Sequence, residues 1–246
     1  MAEEKAPPGR DEILAHLLSP DAEQPRDEPA IAANIGEQLT HMGLSTWSIS
    51  ILRRIRDAIA RLDPTNVLEV GAGIGHRSAW LFDTFERSDS PPEMFTMVEQ
   101  GAKFGVILHR LMTRYEAESR TNIVVGEPLQ LAAEHAAWAL ASTTMSEISN
   151  TPFESTYDAI IIDAPSPERA NLVSTYLPLL SQHGVLFTVE PAMPTGEVEE
   201  HDEAGMALVN GFNAWIELIH SSNSTHHIGF MPLFGGTLVA WLPHDS

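Results

Sequence analysis

From Ser45 onward the chain alternates between two hydrophobic rhythms. Trp47, Ile49, Ile51, Leu52, Ile55, Ile59 and Leu62 recur at the three- and four-residue spacing of an amphipathic helix, with Arg53, Arg54 and Arg56 between them, and Asp63-Pro64 ends it. Asn66-Val67-Leu68-Glu69-Val70 then forms a short β-branched run stopped by Gly71. Further strands are predicted at 95–98, 123–125, 159–162 and 185–189, and helices over 76–85, 102–116, 129–140 and 169–180. Strands separated by helices of this length pair in parallel, with helices on both faces of the sheet. The end of the chain departs from that rule. A helix over 204–219 precedes strands at 227–231 and 237–241, and the five residues between these strands are too few for a crossover, so the two run antiparallel.

The beginning is different in kind. Pro7, Pro8, Pro20, Pro25 and Pro29 lie among many charges, with one apolar run at 13–18, which reads as a partly helical arm over residues 1–44 ahead of a single domain over 45–246. The Ser/Thr-rich stretch 142–156 and the acidic stretch 197–203 read as insertions, and there is no internal repeat. A total of 246 residues suits one well-cored α/β domain. No apolar stretch approaches the length of a membrane span, and the acidic Met1-Ala2-Glu3-Glu4-Lys5 lacks the basic start and apolar run of a secretory signal, so a cytoplasmic protein is expected.

With no cysteine, disulfides, thiolate metal sites and cysteine nucleophiles drop out. Fourteen basic residues against 34 acidic ones give a formal charge of -20, which repels a phosphate backbone and argues against nucleic acid as partner. For most of these charges a solvated surface is the expectation.

Gly71-Ala72-Gly73-Ile74-Gly75 follows a strand and precedes a helix, where glycines let the backbone turn sharply and approach a ligand. A dinucleotide site wants G-x-G-x-x-G, and here the third glycine comes one residue early. Glu69, just before the turn, would repel a phosphate but accept from an ammonium group. Glu99, at the end of the second strand, can accept from both ribose hydroxyls, and Gly126-Glu127, after the third, can reach an adenine amino group. Any one strand-end carboxylate is as readily a helix N-cap. Three at successive strand ends point to an amino-acid-bearing nucleoside, because open α/β sheets bind ligands at that edge.

These residues resemble the class I S-adenosylmethionine (SAM)-dependent methyltransferases. The 67–75 run, Tyr157-Asp158-Ala159-Ile160-Ile161-Ile162-Asp163-Ala164, Leu179-Leu180-Ser181-Gln182-His183-Gly184-Val185-Leu186, Phe212-Asn213-Ala214-Trp215 and Gly236-Thr237-Leu238-Val239-Ala240 are similar to the catechol and caffeoyl-CoA type O-methyltransferases, over about 45–243. The resemblance implies a three-layer, Rossmann-like α/β sandwich whose seven strands run in the order 3-2-1-4-5-7-6 with the last antiparallel. It implies SAM as cofactor, held by Glu69, Gly71, Ala72, Gly73, Gly75, Ser78, Glu99, Gln100, Gly126, Glu127 and Asp163, with Asp163 catalytic. It also implies a small hydroxylated acceptor and a homodimer. The arm and the 197–203 insertion are expected to cover the acceptor pocket.

In that family a divalent cation, Mg²⁺ by its oxygen ligands, is held by the strand-four aspartate and an Asp-Asn pair after strand five. Here Asp163 matches the first ligand, and the pair reads Val189-Glu190 or Glu190-Pro191, leaving Asp163 and Glu190 as metal candidates. Asp163-Ala164-Pro165-Ser166 also lacks the family's lysine, so a base would have to be His183, His201 or His76, each of which is more often a packing or surface histidine. His226-His227 is no metal pair, since adjacent strand residues point to opposite faces. Two alternatives stand beside this reading. One is a nucleoside-binding protein that has lost transfer chemistry; the other is a polyamine aminopropyltransferase, which the missing Gly-Gly-Gly-Asp-Gly turn disfavours.

Overall fold

The computed structural model describes residues 9–142, 153–196, 198–199 and 201–245. Strands β1 (Asn66–Val70), β2 (Met94–Glu99), β3 (Thr121–Val125), β4 (Tyr157–Ile162), β5 (Leu180–Val189), β6 (His226–Leu233) and β7 (Gly236–Pro243) form one sheet in the order β3-β2-β1-β4-β5-β7-β6. Pairing is parallel from β3 through β5, and β7 runs antiparallel to both of its neighbours, as expected. The helices are α1 (Arg10–Leu17), α2 (Ala30–Met42), α3 (Ile49–Leu62), α4 (His76–Glu86), α5 (Ala102–Arg114), α6 (Pro128–Ser142), α7 (Ser166–Tyr176) and α8 (Glu203–Ser222).

Period-two alternation along the strands makes the three layers. Val67, Phe95, Met97, Ala159, Ile161, Phe187 and Ala240 pack with apolar residues of α1 to α5 on one face. Leu68, Val70, Val98, Ile160, Ile162, Leu186 and Trp241 pack with α6, α7 and α8 on the other. The helix expected over 169–180 ends at Tyr176, because Pro178 lacks the N–H to continue the ladder; a single 3₁₀ turn, Leu177–Leu179, leads into a β5 that begins at Leu180. The insertion at 142–156 falls mostly outside the described residues, as do Glu197 and Glu200 of the acidic stretch. None of the described helices is long and apolar enough to cross a membrane.

The first 44 residues are less detached than their prolines suggest. Leu14 and Leu18 of the first helical segment press on Gly229 of β6, and Ala32, Ile35 and Leu39 of α2 belong to the same core as α3 and β1. Where α2 gives way to α3, the chain meets the glycine turn. His76, the first residue of α4, has Nε2 2.9 Å from Glu28 Oε1 and Nδ1 3.0 Å from Thr46 Oγ1.

Burial pushes the His76 imidazole below its ordinary pKa, with Glu28 opposing. In the unfolded chain the ring takes up a proton near pH 6.5, so the unfolded state binds the extra proton below that value, and stability falls with pH in that window. Relative to His76→Gln, the wild-type melting temperature is therefore expected to fall between about pH 7 and about pH 5, the difference in slope being the contribution of His76. Parallel wild-type and variant slopes in a thermal-denaturation series would remove that contribution.

Candidate active site at the glycine turn

Five successive strands end on one edge, and each carries a candidate residue: Gly71 after β1, Glu99 closing β2, Gly126 after β3, Asp163 after β4 and Glu190 after β5. The turn after β1 is anchored from below. Gly71 and Ala72 donate their N–H groups to the Val98 carbonyl at 3.0 and 3.1 Å, and Gly126 donates to Glu99 O at 3.1 Å. The glycines divide in purpose. A Cβ on Gly71, at φ 78°, would collide with the Asp163 carbonyl, so that glycine lets β1 and β4 approach. Gly73, at φ 59°, has nothing within 4 Å of where a Cβ would stand, so its face is open to a ligand. Gly75 faces Leu108 and Leu111 of α5 and is occupied by packing.

Glu99 is held beside that open face. Its Oε2 accepts from Gly73 N–H at 2.7 Å and its Oε1 from Gly101 N–H at 2.8 Å. Each carboxylate oxygen keeps a further lone pair, so the carboxylate can still receive two hydroxyls. Gln100 next to it is exposed. Glu127 is spent as an N-cap on α6, accepting from Leu129 N–H at 3.2 Å and Gln130 N–H at 2.7 Å.

Glu69 lies elsewhere than expected. It shares the β1 face of Val67, which α4 covers, and is fully buried. Ser78 donates to its Oε2 at 2.6 Å, and Arg77 Nε stands 3.1 Å from its Oε1, an ion pair without hydrogen-bond alignment. Glu69 and Ser78 are thus bonded to each other beneath the turn, and the expected contact of Glu69 with an ammonium is not available in this arrangement. Burial raises the Glu69 pKa, opposed by Arg77 and Ser78.

Arg77 is the residue that sequence reading missed. It is buried in the first turn of α4, donates Nη1 to Asp163 Oδ2 at 2.5 Å and Nη2 to the Gly71 carbonyl, and lies 4.7 Å from the centre of the Trp47 ring. Flanking carboxylates outweigh burial and hold its pKa above the ordinary arginine value. Asp163 takes a second cation, Arg169, with Nη2 4.0 Å from Oδ1; Arg169 also donates to the Ala164 carbonyl at 3.1 Å and the Val189 carbonyl at 2.8 Å. Glu190 donates its own N–H to Thr237 O at 2.8 Å. A signal for Arg77 was present in the sequence: an arginine eight residues after a strand carboxylate, in a first helical turn that must pack on that strand.

The candidate bases are scattered. His76 is engaged by Glu28 and Thr46, and His201 is exposed against Glu199 at 3.1 Å. His183 lies six residues before the end of β5, roughly 20 Å from the edge that carries Asp163.

No protein-family model and no curated protein sequence matches the chain. Solved structures do match its fold. A protein from Staphylococcus aureus, provisionally described as a caffeoyl-CoA O-methyltransferase, superposes with a TM-score of 0.66 at 17% identity, over 87% of this chain and 93% of that one. An O-methyltransferase from Bacillus cereus in complex with S-adenosylhomocysteine (SAH) gives 0.61 at 15% identity, over 90% and 94%. An SAH-bound methyltransferase from Podospora anserina gives 0.59 at 16%, over 96% and 95%. The chain has the Rossmann-like fold of these proteins.

Proposed function

We propose that the chain transfers a methyl group from SAM to a small nucleophilic acceptor, a hydroxylated compound first among them. The observation that carries the reading is Glu99, fixed by the Gly73 and Gly101 amides beside the open Gly73 face. Support comes from neighbours of the same fold that hold SAH. A cytoplasmic setting and a homodimeric assembly go with the reading.

The sulfonium of the donor supplies an activated methyl group, so what remains for the protein is alignment. Glu99 would fix the ribose and Gly73 would let the nucleoside lie against the turn. Asp163, a quarter exposed at its side chain, would mark the boundary between donor and acceptor. No step is assigned to Glu127, whose carboxylate caps α6, or to any of the histidines.

Calorimetric titration with SAH tests the donor site. Micromolar binding, about -8 kcal/mol, is expected. In Gly73→Ala the added methyl enters the open face, and binding should weaken about tenfold, with a loss of stability of about 1 kcal/mol for the left-handed backbone. No binding by the folded wild type would end the reading and leave the fold alone.

A further inference from the structure

We infer that the Arg77 guanidinium occupies the electrostatic place of a divalent cation on Asp163, so that this site works without a metal. The inference rests on the methyltransferase reading for what the site does, and on geometry for what holds it together.

The donor set around Asp163 does not suit a metal ion. Mg²⁺ asks for about six oxygen ligands at close to 2.1 Å in octahedral array. The Oδ2 it would use is bonded by Arg77 at 2.5 Å, and Arg169 stands 4.0 Å from Oδ1. A dication placed here would meet two guanidinium charges at short range. The Val189 carbonyl next to Glu190 is taken by Arg169 at 2.8 Å. Among the described residues no three acidic or imidazole side chains gather as a metal cage.

Arg77 supplies what the cation would otherwise supply to Asp163, namely charge compensation and a fixed carboxylate direction. Its guanidinium is locked by the Gly71 carbonyl, by Glu69 at 3.1 Å and by stacking on Trp47. What it does not supply is a pair of open coordination positions. Arg77 is therefore a positioning residue for Asp163 and does not activate two neighbouring acceptor oxygens as a chelating metal does.

Two measurements test this. The first follows free Mn²⁺ by electron paramagnetic resonance during titration of SAH-saturated wild type. The expected result is no uptake through the millimolar range; stoichiometric uptake that disappears in Asp163→Asn would overturn the inference. The second compares SAM with SAH, which differ by one positive charge at sulfur. With Arg77 in place, the Asp163 charge is balanced. Arg77→Gln removes one positive charge and leaves Asp163 only Arg169, 4.0 Å away, so the ratio of SAM to SAH affinity should move towards SAM by about tenfold, the order expected of one unit charge at about 10 Å in an effective dielectric near 20. Arg77→Lys, which keeps the charge, should hold the wild-type ratio. A ratio unchanged in Arg77→Gln would overturn the inference, since a purely structural role shifts both affinities together. If Arg77→Gln does not fold, the Mn²⁺ titration on wild type decides alone. Failure of SAH to bind wild type would count against the methyltransferase reading instead, and the two failures are told apart in the same experiment.

Discussion

Glu99→Ala is expected to weaken SAH binding about 100-fold or more while the protein stays folded. The wild-type carboxylate spends one lone pair of each oxygen on the Gly73 and Gly101 amides, at 2.7 and 2.8 Å. The two that remain suit a pair of ribose hydroxyls. A hydrogen bond to a charged group contributes about 1.5 to 3 kcal/mol, so losing two removes at least about 3 kcal/mol, a factor of roughly 100. The freed amides sit at the sheet edge, where water can satisfy them once the side chain is truncated, so the melting temperature should move little. Glu99→Gln sharpens the test, because its NH₂ group must face one of the two backbone donors and only one oxygen acceptor survives. It should bind SAH nearly as poorly as the alanine variant. Calorimetry gives the affinities and thermal denaturation the folding control. A loss below about fivefold, under about 1 kcal/mol, would place the ribose somewhere other than Glu99.

The sheet was legible because its inner strands are buried on both faces and stopped by glycine, proline or acidic turns. Asn66–Val70 was read with its observed bounds, and the antiparallel end followed from a connection too short to cross over. Helix α2 was not legible. Its buried Ala32, Ile35 and Leu39 keep helical spacing, but alanine is a weak apolar mark and the prolines before it suggest a loose arm. The position of Glu99 at the end of β2 was legible because a strand end is a topological fact. Glu127 holds the same kind of place, yet Leu129 and Gln130 behind it begin a helix whose amides need an acceptor, and the capping role prevailed. The burial of Glu69 was not legible for a different reason. In a strand the face of each residue is set by parity, and Glu69 shares the parity of Val67, which directs it beneath α4 rather than towards the rim. A buried carboxylate needs a partner, and Arg77, in the first turn of the helix that covers Glu69, supplies it, with the Trp47 ring centre 4.7 Å from its guanidinium.

Arg77→Met is accordingly expected to cost about 3 to 5 kcal/mol at neutral pH, a large share of the stability of any domain of this size. Methionine keeps much of the stem against Trp47 but removes the charge, which leaves Glu69 fully buried with Ser78 as its remaining hydrogen-bond partner among those described. The cost should depend on pH with a definite sign. Burial already holds the Glu69 pKa above its ordinary value, and Arg77 is the leading influence against that shift, so removing Arg77 raises it further. Between the unfolded carboxyl, near 4.3, and the raised folded value, the native state binds a proton that the unfolded chain does not. Stability in that window therefore rises as pH falls. The deficit of Arg77→Met relative to wild type should be largest near about pH 8 and shrink towards about pH 5, as Glu69 neutralises itself. Adding Glu69→Gln, which is neutral at every pH, should recover part of the loss and remove most of its pH dependence. Urea denaturation of wild type, both single variants and the double variant at two pH values supplies the cycle. A deficit equal at both pH values and untouched by Glu69→Gln would mean that Arg77 stabilises the fold through Asp163 and the Gly71 carbonyl, and that the buried carboxylate is accommodated without it.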